Sequence, residues 1–426
     1  MLILLRLLLI LLITGFSGLS FGQVLGPSAQ EVSFRYTSEF LTDDNASDAE
    51  SLAQDHSQYI FGVFHSISMI QKFGLNADLV GGIGSPKSEM SIKILNFQEA
   101  ADKKTLVKYQ AWGKLLLHKS VAKKILAAGT LEIPMPADLS MIYDERCTDE
   151  HYNSFGDYWY FWDPLTLERC QYLSKPPHSN TVQIAVSPAP TVNADVTPRL
   201  DLLRGDNGNG KLFSIYVIHG FAESSTQSGD EGRINFKELN DHLKETGYNE
   251  TIERKTQNRP LYIYTKTLTL ADGKEIDVEI KHLLVETGIE SRSVTFAKFF
   301  KDAVENADVI VYGGHSGLGG NLDIPSLESK AGKFKFNQKK RQIFFFDSCA
   351  SYSYYLGQFS AEKTKSKIDV ITNGLSSLFN TSEGVLEGLL DSVLTEKSVD
   401  LRWLDVLKAM EAPLDGGSFL LNVGGV

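Results

Sequence analysis

The chain has 426 residues, 42% hydrophobic and 22% charged, with a formal net charge of −11 at pH 7. That length predicts two or three domains of roughly 100–200 residues each. The modest acidity argues against nucleic acid and anionic membranes as partners, and no Lys/Arg stripe or RNA-binding signature is present.

Taken in chain order, the first element is a leader. Residues 1–13 are almost all Leu and Ile with one charge at Arg6, and small residues follow at Ser20 and Gly22. The apolar core is short for a span of roughly 20 residues, so residues 1–22 read as a cleaved secretory signal peptide. The mature chain would then be exported, periplasmic or secreted, with no membrane contact after cleavage. Residues 24–186 read as a smaller α+β domain. A helix enters through the Asp/Asn-rich start DNASDAE, and SEMSIKILNF and TLVKYQAWGKLLLH read as strands joined by a charged turn. The aromatic run Tyr158, Trp159, Tyr160, Phe161 and Trp162 reads as core. Cys147 and Cys170 flank that run, and an exported protein would join them in a disulfide. This leaves Cys349 as the odd thiol of three.

Pro188, Pro190 and Pro198, followed by a Gly/Asn cluster, mark residues 187–210 as a linker. In residues 211–426 strands alternate with helices. KLFSIYVIHG is a strand and INFKELNDHLKETG a helix. PLYIYTKTLTL and EIDVEIKHLLVE form a hairpin about Asp272-Gly273, and VTFAKFFKDAVENA is a helix. DVIVYGG, KRQIFFFDS and KIDVITNG are buried strands, two helices follow, and GSFLLNV is a last strand. This order predicts a mostly parallel sheet with helices on both faces, and such sheets carry chemistry at the carboxyl ends of their strands. Two reactive side chains fall there. His315 follows one apolar strand and Cys349 follows the next, 34 residues on. A thiol nucleophile needs a positioned imidazole to take its proton. An adjacent imidazolium, or a helix starting at Ala350, would lower the thiol pKa. Glycines at 313, 314, 317, 319 and 320 leave backbone N–H groups accessible around His315. Those of Ser316 and Cys349 are candidates for an oxyanion hole.

The segments YGGH before His315 and Asp347-Ser348-Cys349 resemble the caspase–gingipain–legumain superfamily of cysteine peptidases, nearest to clostripain-like peptidases and metacaspases. SEGVLEGLLDSVL resembles the helix after their last core strand. The likeness covers about residues 211–426. It implies a caspase-like three-layer sandwich with a mostly parallel sheet, no cofactor, and a protein or peptide as substrate. It implies His315 and Cys349 as the catalytic pair. It also implies Asp347, with His219, Gly314 and Asn373, lining the pocket for the residue before the cut, an Arg or Lys that a desolvated carboxylate would select. Ser316 departs from the Gly usual in that group.

Other signals point elsewhere. His219 also ends a strand, carries a His-Gly pair and rivals His315 as general base. No G-x-S-x-G nucleophile elbow supports an α/β-hydrolase. QSGDEGRINFKEL is similar to half of a calcium loop, but Gln227 and Gly229 stand where carboxylates or Asn belong, so no metal is expected. Two alternatives to the peptidase remain: a decayed caspase-like binding or scaffold module, and an amidase or transpeptidase using the same pair. Oligomeric state is not legible.

Overall fold

A computed structural model describes residues 23–43, 48–87, 90–139, 159, 162–163, 165, 175–189, 196–256, 258–396 and 401–425. The leader and both N-terminal cysteines, with their expected disulfide, lie outside the described residues, as do Tyr158, Tyr160 and Phe161. No helix among the described residues is long and apolar enough to cross a membrane.

The fold is mixed α/β with two sheets. Strands β1 (Gln23–Leu25) and β2 (Ala29–Thr42) are followed by helices α1 (Ala49–His65) and α2 (Ile67–Lys72). The Asp48 carboxylate accepts the Ser51 N–H and starts α1, where the Asp/Asn-rich stretch predicts a helix entry. Then come β3 (Gly84–Pro86), β4 (Ser91–Glu99), β5 (Thr105–His118), α3 (Lys119–Ala128), β6 (Thr130–Pro136) and β7 (Ser179–Pro188). These strands make one antiparallel sheet in the order β3-β5-β2-β7-β6, with β4 added to β5. Trp162 is buried against it and donates to the Pro134 carbonyl at 3.1 Å. Because β7 runs through Pro188, its last two residues belong to the sheet, although their composition reads as linker. The short helix α4 (Leu200–Leu203) occupies the other end of the same stretch.

The second half contributes β8 (Leu212–Gly220), α5 (Glu231–Glu245), β9 (Asn249–Arg254), β10 (Leu261–Thr269), β11 (Glu275–Val285), α6 (Val294–Asn306), β12 (Val309–Gly313) and α7 (Ile324–Ala331). It continues with β13 (Gln342–Asp347), α8 (Ser351–Ala361), β14 (Ile368–Thr372), α9 (Phe379–Val393), α10 (Trp403–Glu411) and β15 (Asn422–Gly424). The nine-stranded sheet runs β1-β15-β14-β13-β12-β8-β11-β10-β9. Only its centre, β14-β13-β12-β8-β11, is parallel; the flanking pairs at both ends are antiparallel. The predicted mostly parallel sheet is thus a mixed one, because the hairpin β10–β11 and the short strands β1, β9 and β15 pair without a crossover helix.

Alternation along the central strands supplies two cores. Val309, Val311, Ile343 and Phe345 pack with Leu239, Val385, Leu389 and Trp403 from α5, α9 and α10. Ile310, Tyr312, Phe344 and Phe346 pack with Phe296, Phe300, Tyr355 and Phe359 from α6 and α8. Strand residues buried on both faces explain the unbroken apolar runs, and each large side chain stabilises by roughly 1.5–3 kcal/mol. The second of these cores continues without a break into Phe34, Phe64, Tyr109 and Leu116 of the N-terminal sheet and helices. Polar contacts follow the same seam. The Tyr352 hydroxyl donates to Glu31 Oε1 at 3.0 Å and Ser353 Oγ donates to the Pro86 carbonyl at 2.6 Å. The Gly26 N–H donates to the Leu421 carbonyl at 2.8 Å.

Candidate active site

The carboxyl ends of β8, β12 and β13 lie side by side. Gly313 is in register with Asp347 on one side and with His219 on the other. His315 and Cys349 therefore stand at equivalent positions, each two residues past a register pair. Parallel pairing of buried strands produces this alignment, and a one-residue slip would turn every apolar side chain to the opposite core.

His315 is exposed, but its backbone is held tightly. Its carbonyl accepts from the Tyr312 hydroxyl at 2.7 Å and from Asn321 Nδ2 at 2.8 Å. Buried Arg292 donates to the Gly320 carbonyl at 3.0 Å and stabilises the 3-10 turn Gly317–Leu322 that follows. The ring packs edge-on against Phe379, with centroids 5.3 Å apart. Nε2 lies 2.7 Å from the Ala222 carbonyl oxygen. A carbonyl only accepts, so Nε2 carries the proton and Nδ1 of the neutral ring is the basic nitrogen.

Cys349 is a free, partly exposed thiol. Its Sγ lies 4.0 Å from the Ser377 carbonyl oxygen, and no hydrogen bond joins it to His315. Burial pushes the thiol above its ordinary value of 9.0, opposed by hydrogen bonds from Ser376 and Ser377 and assisted by the Asp347 charge. The sequence-based expectation of a lowered thiol pKa fails for that reason. Helix α8 does start at Ser351, but no cation pairs with the sulfur. Ala350, directly after the thiol, sits at φ 50°, ψ 33°, and its N–H donates to the Leu375 carbonyl at 3.0 Å. A left-handed non-glycine residue is strained, and such strain gathers at functional turns. Neither the Ser316 nor the Cys349 N–H donates to another described residue.

Behind the thiol lies a buried polar cluster. Asp347 accepts from Asn373 Nδ2 at 2.7 Å and is also bonded by Ser382. Burial raises its carboxyl to about 6, against these hydrogen bonds and the nearby His219, while Glu383 adds a second unfavourable charge. Asn373 Oδ1 is buried without a partner. His219 is buried too, with both ring nitrogens engaged. Nδ1 is 2.7 Å from His282 Nε2, and Nε2 is 3.3 Å from Glu383 Oε2. His282 Nδ1 in turn reaches Asn240 Oδ1 at 2.8 Å. The Tyr264 hydroxyl lies 2.9 Å from the same Oδ1 and 3.0 Å from Glu250 Oε2. Burial drives the Glu383 carboxyl up and the His282 ring well down. His219 is buried beside Asp347, with its two ring nitrogens facing His282 and Glu383. Gly313 makes room for it, since a Cβ there would lie 3.3 Å from the His219 ring.

Glu383, His282, Ser376 and the Ala222 carbonyl escape sequence reading. Three are ordinary side chains from distant segments and the fourth is backbone. Among the described residues no cluster of three His, Cys, Asp or Glu side chains is arranged to hold a metal ion.

No protein-family model matches the chain, and no curated protein does. Among solved structures, the chain is similar to a secreted C11 cysteine protease from Bacteroides thetaiotaomicron, "iotapain". The identity is 11% and the TM-score 0.22, over 42% of this chain; the match spans 59% of the length of that protein.

Proposed function

We propose that the chain is an exported cysteine endopeptidase of caspase-like three-layer architecture that cuts after Arg or Lys. The observation that carries this is the shared register of Gly313 and Asp347, from which His315 and Cys349 emerge as neighbours. In the reaction, His315 Nδ1 takes the proton from Cys349. The sulfur bonds to the scissile carbonyl carbon, and the Ser316 and Cys349 N–H groups receive the oxyanion. Collapse breaks the C–N bond, and the amine leaves with the proton from the imidazolium. Water, deprotonated by His315, then hydrolyses the thioester. The raised thiol pKa means that the resting enzyme holds a neutral thiol, so proton transfer accompanies attack. Asp347 would receive the substrate cation. Its second oxygen, Asn373 Oδ1 and nearby Glu383 form a cluster rich in acceptors, and Gly314 and His219 border it. The N-terminal half would be an accessory part.

The test is labelling of the full chain by an arginyl peptide carrying a thiol-reactive group. Labelling lost in Cys349→Ala is the expected result, and an unreactive thiol in folded protein overturns the reading. A binding module that keeps only the fold is favoured by one observation, the missing hydrogen bond between His315 and Cys349. Self-cleavage separates the two. Arg199, Lys333, Lys335 and Lys339 are exposed, whereas Arg204, Lys340 and Arg341 are buried, so an active peptidase would nick itself after the former set. An amidase or transpeptidase would use the same pair on a non-protein amide, and a substrate screen separates it from the peptidase.

A further inference from the structure

The Ala222 carbonyl that fixes the His315 tautomer belongs to a loop, and that loop is organised by one buried carboxylate. Asp230 is 2% exposed. Its Oδ1 accepts the N–H groups of Ala222 at 3.1 Å and Arg233 at 3.2 Å. Its Oδ2 accepts those of Glu223 at 2.7 Å and Ser224 at 3.1 Å. Four backbone donors converge on two oxygens, an arrangement only an ionised carboxylate satisfies. Two more contacts brace the loop: the Ser225 N–H donates to Glu286 Oε1 at 2.9 Å, and Arg233 donates to the Ser225 carbonyl at 2.9 Å. An N-cap alone would engage only the Arg233 N–H. The other three bonds run backward into 222–224 and define where the Ala222 carbonyl points.

We infer that Asp230 is a positioning residue for His315: through the loop 222–224 it holds the Ala222 carbonyl on Nε2 and so keeps Nδ1 free as the base. This rests on the peptidase reading for its catalytic consequence, but the tautomer itself is independent of it. Releasing the loop would let the ring rotate and exchange its proton between the two nitrogens. Misplacement by about 1 Å costs as much as 100-fold in rate.

The experiment compares full-length wild type, Asp230→Asn and Asp230→Ala. The nitrogen chemical shifts of the His315 ring report the tautomer, and peptide hydrolysis reports kcat, KM and the acid limb of the pH profile. The expected result is a single Nε2–H tautomer in wild type and a mixture in both variants. It goes with a kcat lower by about 10- to 100-fold, KM within about threefold, and a shifted acid limb. Hydrogen exchange at 222–224, faster in the variants while the strand amides stay protected, shows that they are folded. A folded variant with the wild-type tautomer and pH profile overturns the inference. A wild type without hydrolysis or labelling overturns the peptidase reading only, because the tautomer measurement still decides the role of Asp230. A variant too unstable to purify is replaced by Glu286→Ala, which removes the acceptor of the Ser225 N–H and is expected to shift the tautomer in the same direction.

Discussion

Asp347 is held in a site that opposes its own charge. Its carboxyl is raised from 3.8 to about 6 by burial, so the folded state binds the proton more tightly than the unfolded chain. The sign follows: the destabilisation is absent below about pH 4, sets in as pH rises through the unfolded value, and is complete above about pH 6. Two units correspond to roughly 3 kcal/mol. Asp347→Asn is therefore expected to be more stable than wild type at pH 7.5 and no more stable at pH 4, with cleavage after Arg and Lys lost. Denaturant melts at both pH values and a peptide profile check this, and equal stability at pH 7.5 would contradict it. The two histidines separate in the same way. His315→Ala removes an exposed ring and should lower kcat by about 100-fold or more with little change in melting. His219→Ala strips a buried partner from Glu383 and His282, and is expected to destabilise by about 1–3 kcal/mol. Thermal melts paired with turnover distinguish the two, and the reverse pattern would make His219 the base.

At the scale of elements, close backbone approach decides what the site tolerates. Helix α5 begins against the end of β8, so a Cβ on Gly232 would lie 2.0 Å from the Gly220 carbonyl oxygen. Ala exceeds Gly in helix propensity by about 1 kcal/mol. Gly232→Ala should nevertheless destabilise the protein, because the helix must move off the strand that carries His219. Circular dichroism melts check it, and a stabilised variant would mean that the helix is free to shift. These elements also mark what could be read from sequence. The apolar runs IYVIHG, DVIVYGG and QIFFFD became β8, β12 and β13 at the predicted places, and the hairpin about Asp272-Gly273 formed. The short strand β9, the helix α7 and the terminal strand β1 left no comparable pattern. β9 is an edge with mixed polarity, α7 is only eight residues long, and β1 gains meaning only by pairing with β15.

Among the described residues, one core spans both sheets and packs about helix α8. The core that includes Tyr352, Tyr355 and Phe359 is continuous with Val32, Phe64 and Leu117 of the N-terminal sheet and helix. Gly374, in the turn beside the thiol, accepts from Ser85 of β3, and Gly81 packs directly on Ser376. A core shared this way predicts a single cooperative unfolding transition. Calorimetry, with fluorescence of the N-terminal tryptophans as a second probe, should give coincident midpoints. Two separated transitions would show that the halves are independent.

The sequence alone determined the alternation of strand and helix in the second half, because burial on both faces leaves unbroken apolar runs. It also placed His315, Cys349 and Asp347 at strand ends, since each directly follows such a run. Only the tertiary structure decided the rest. Strand order and register bring positions 315 and 349 to one edge, and no local pattern encodes pairing across 34 residues. Burial sets the charge states of Asp347, Glu383 and Cys349, and burial depends on which distant segments cover them. The role inferred for Asp230 is visible only once its four backbone donors have been brought around it.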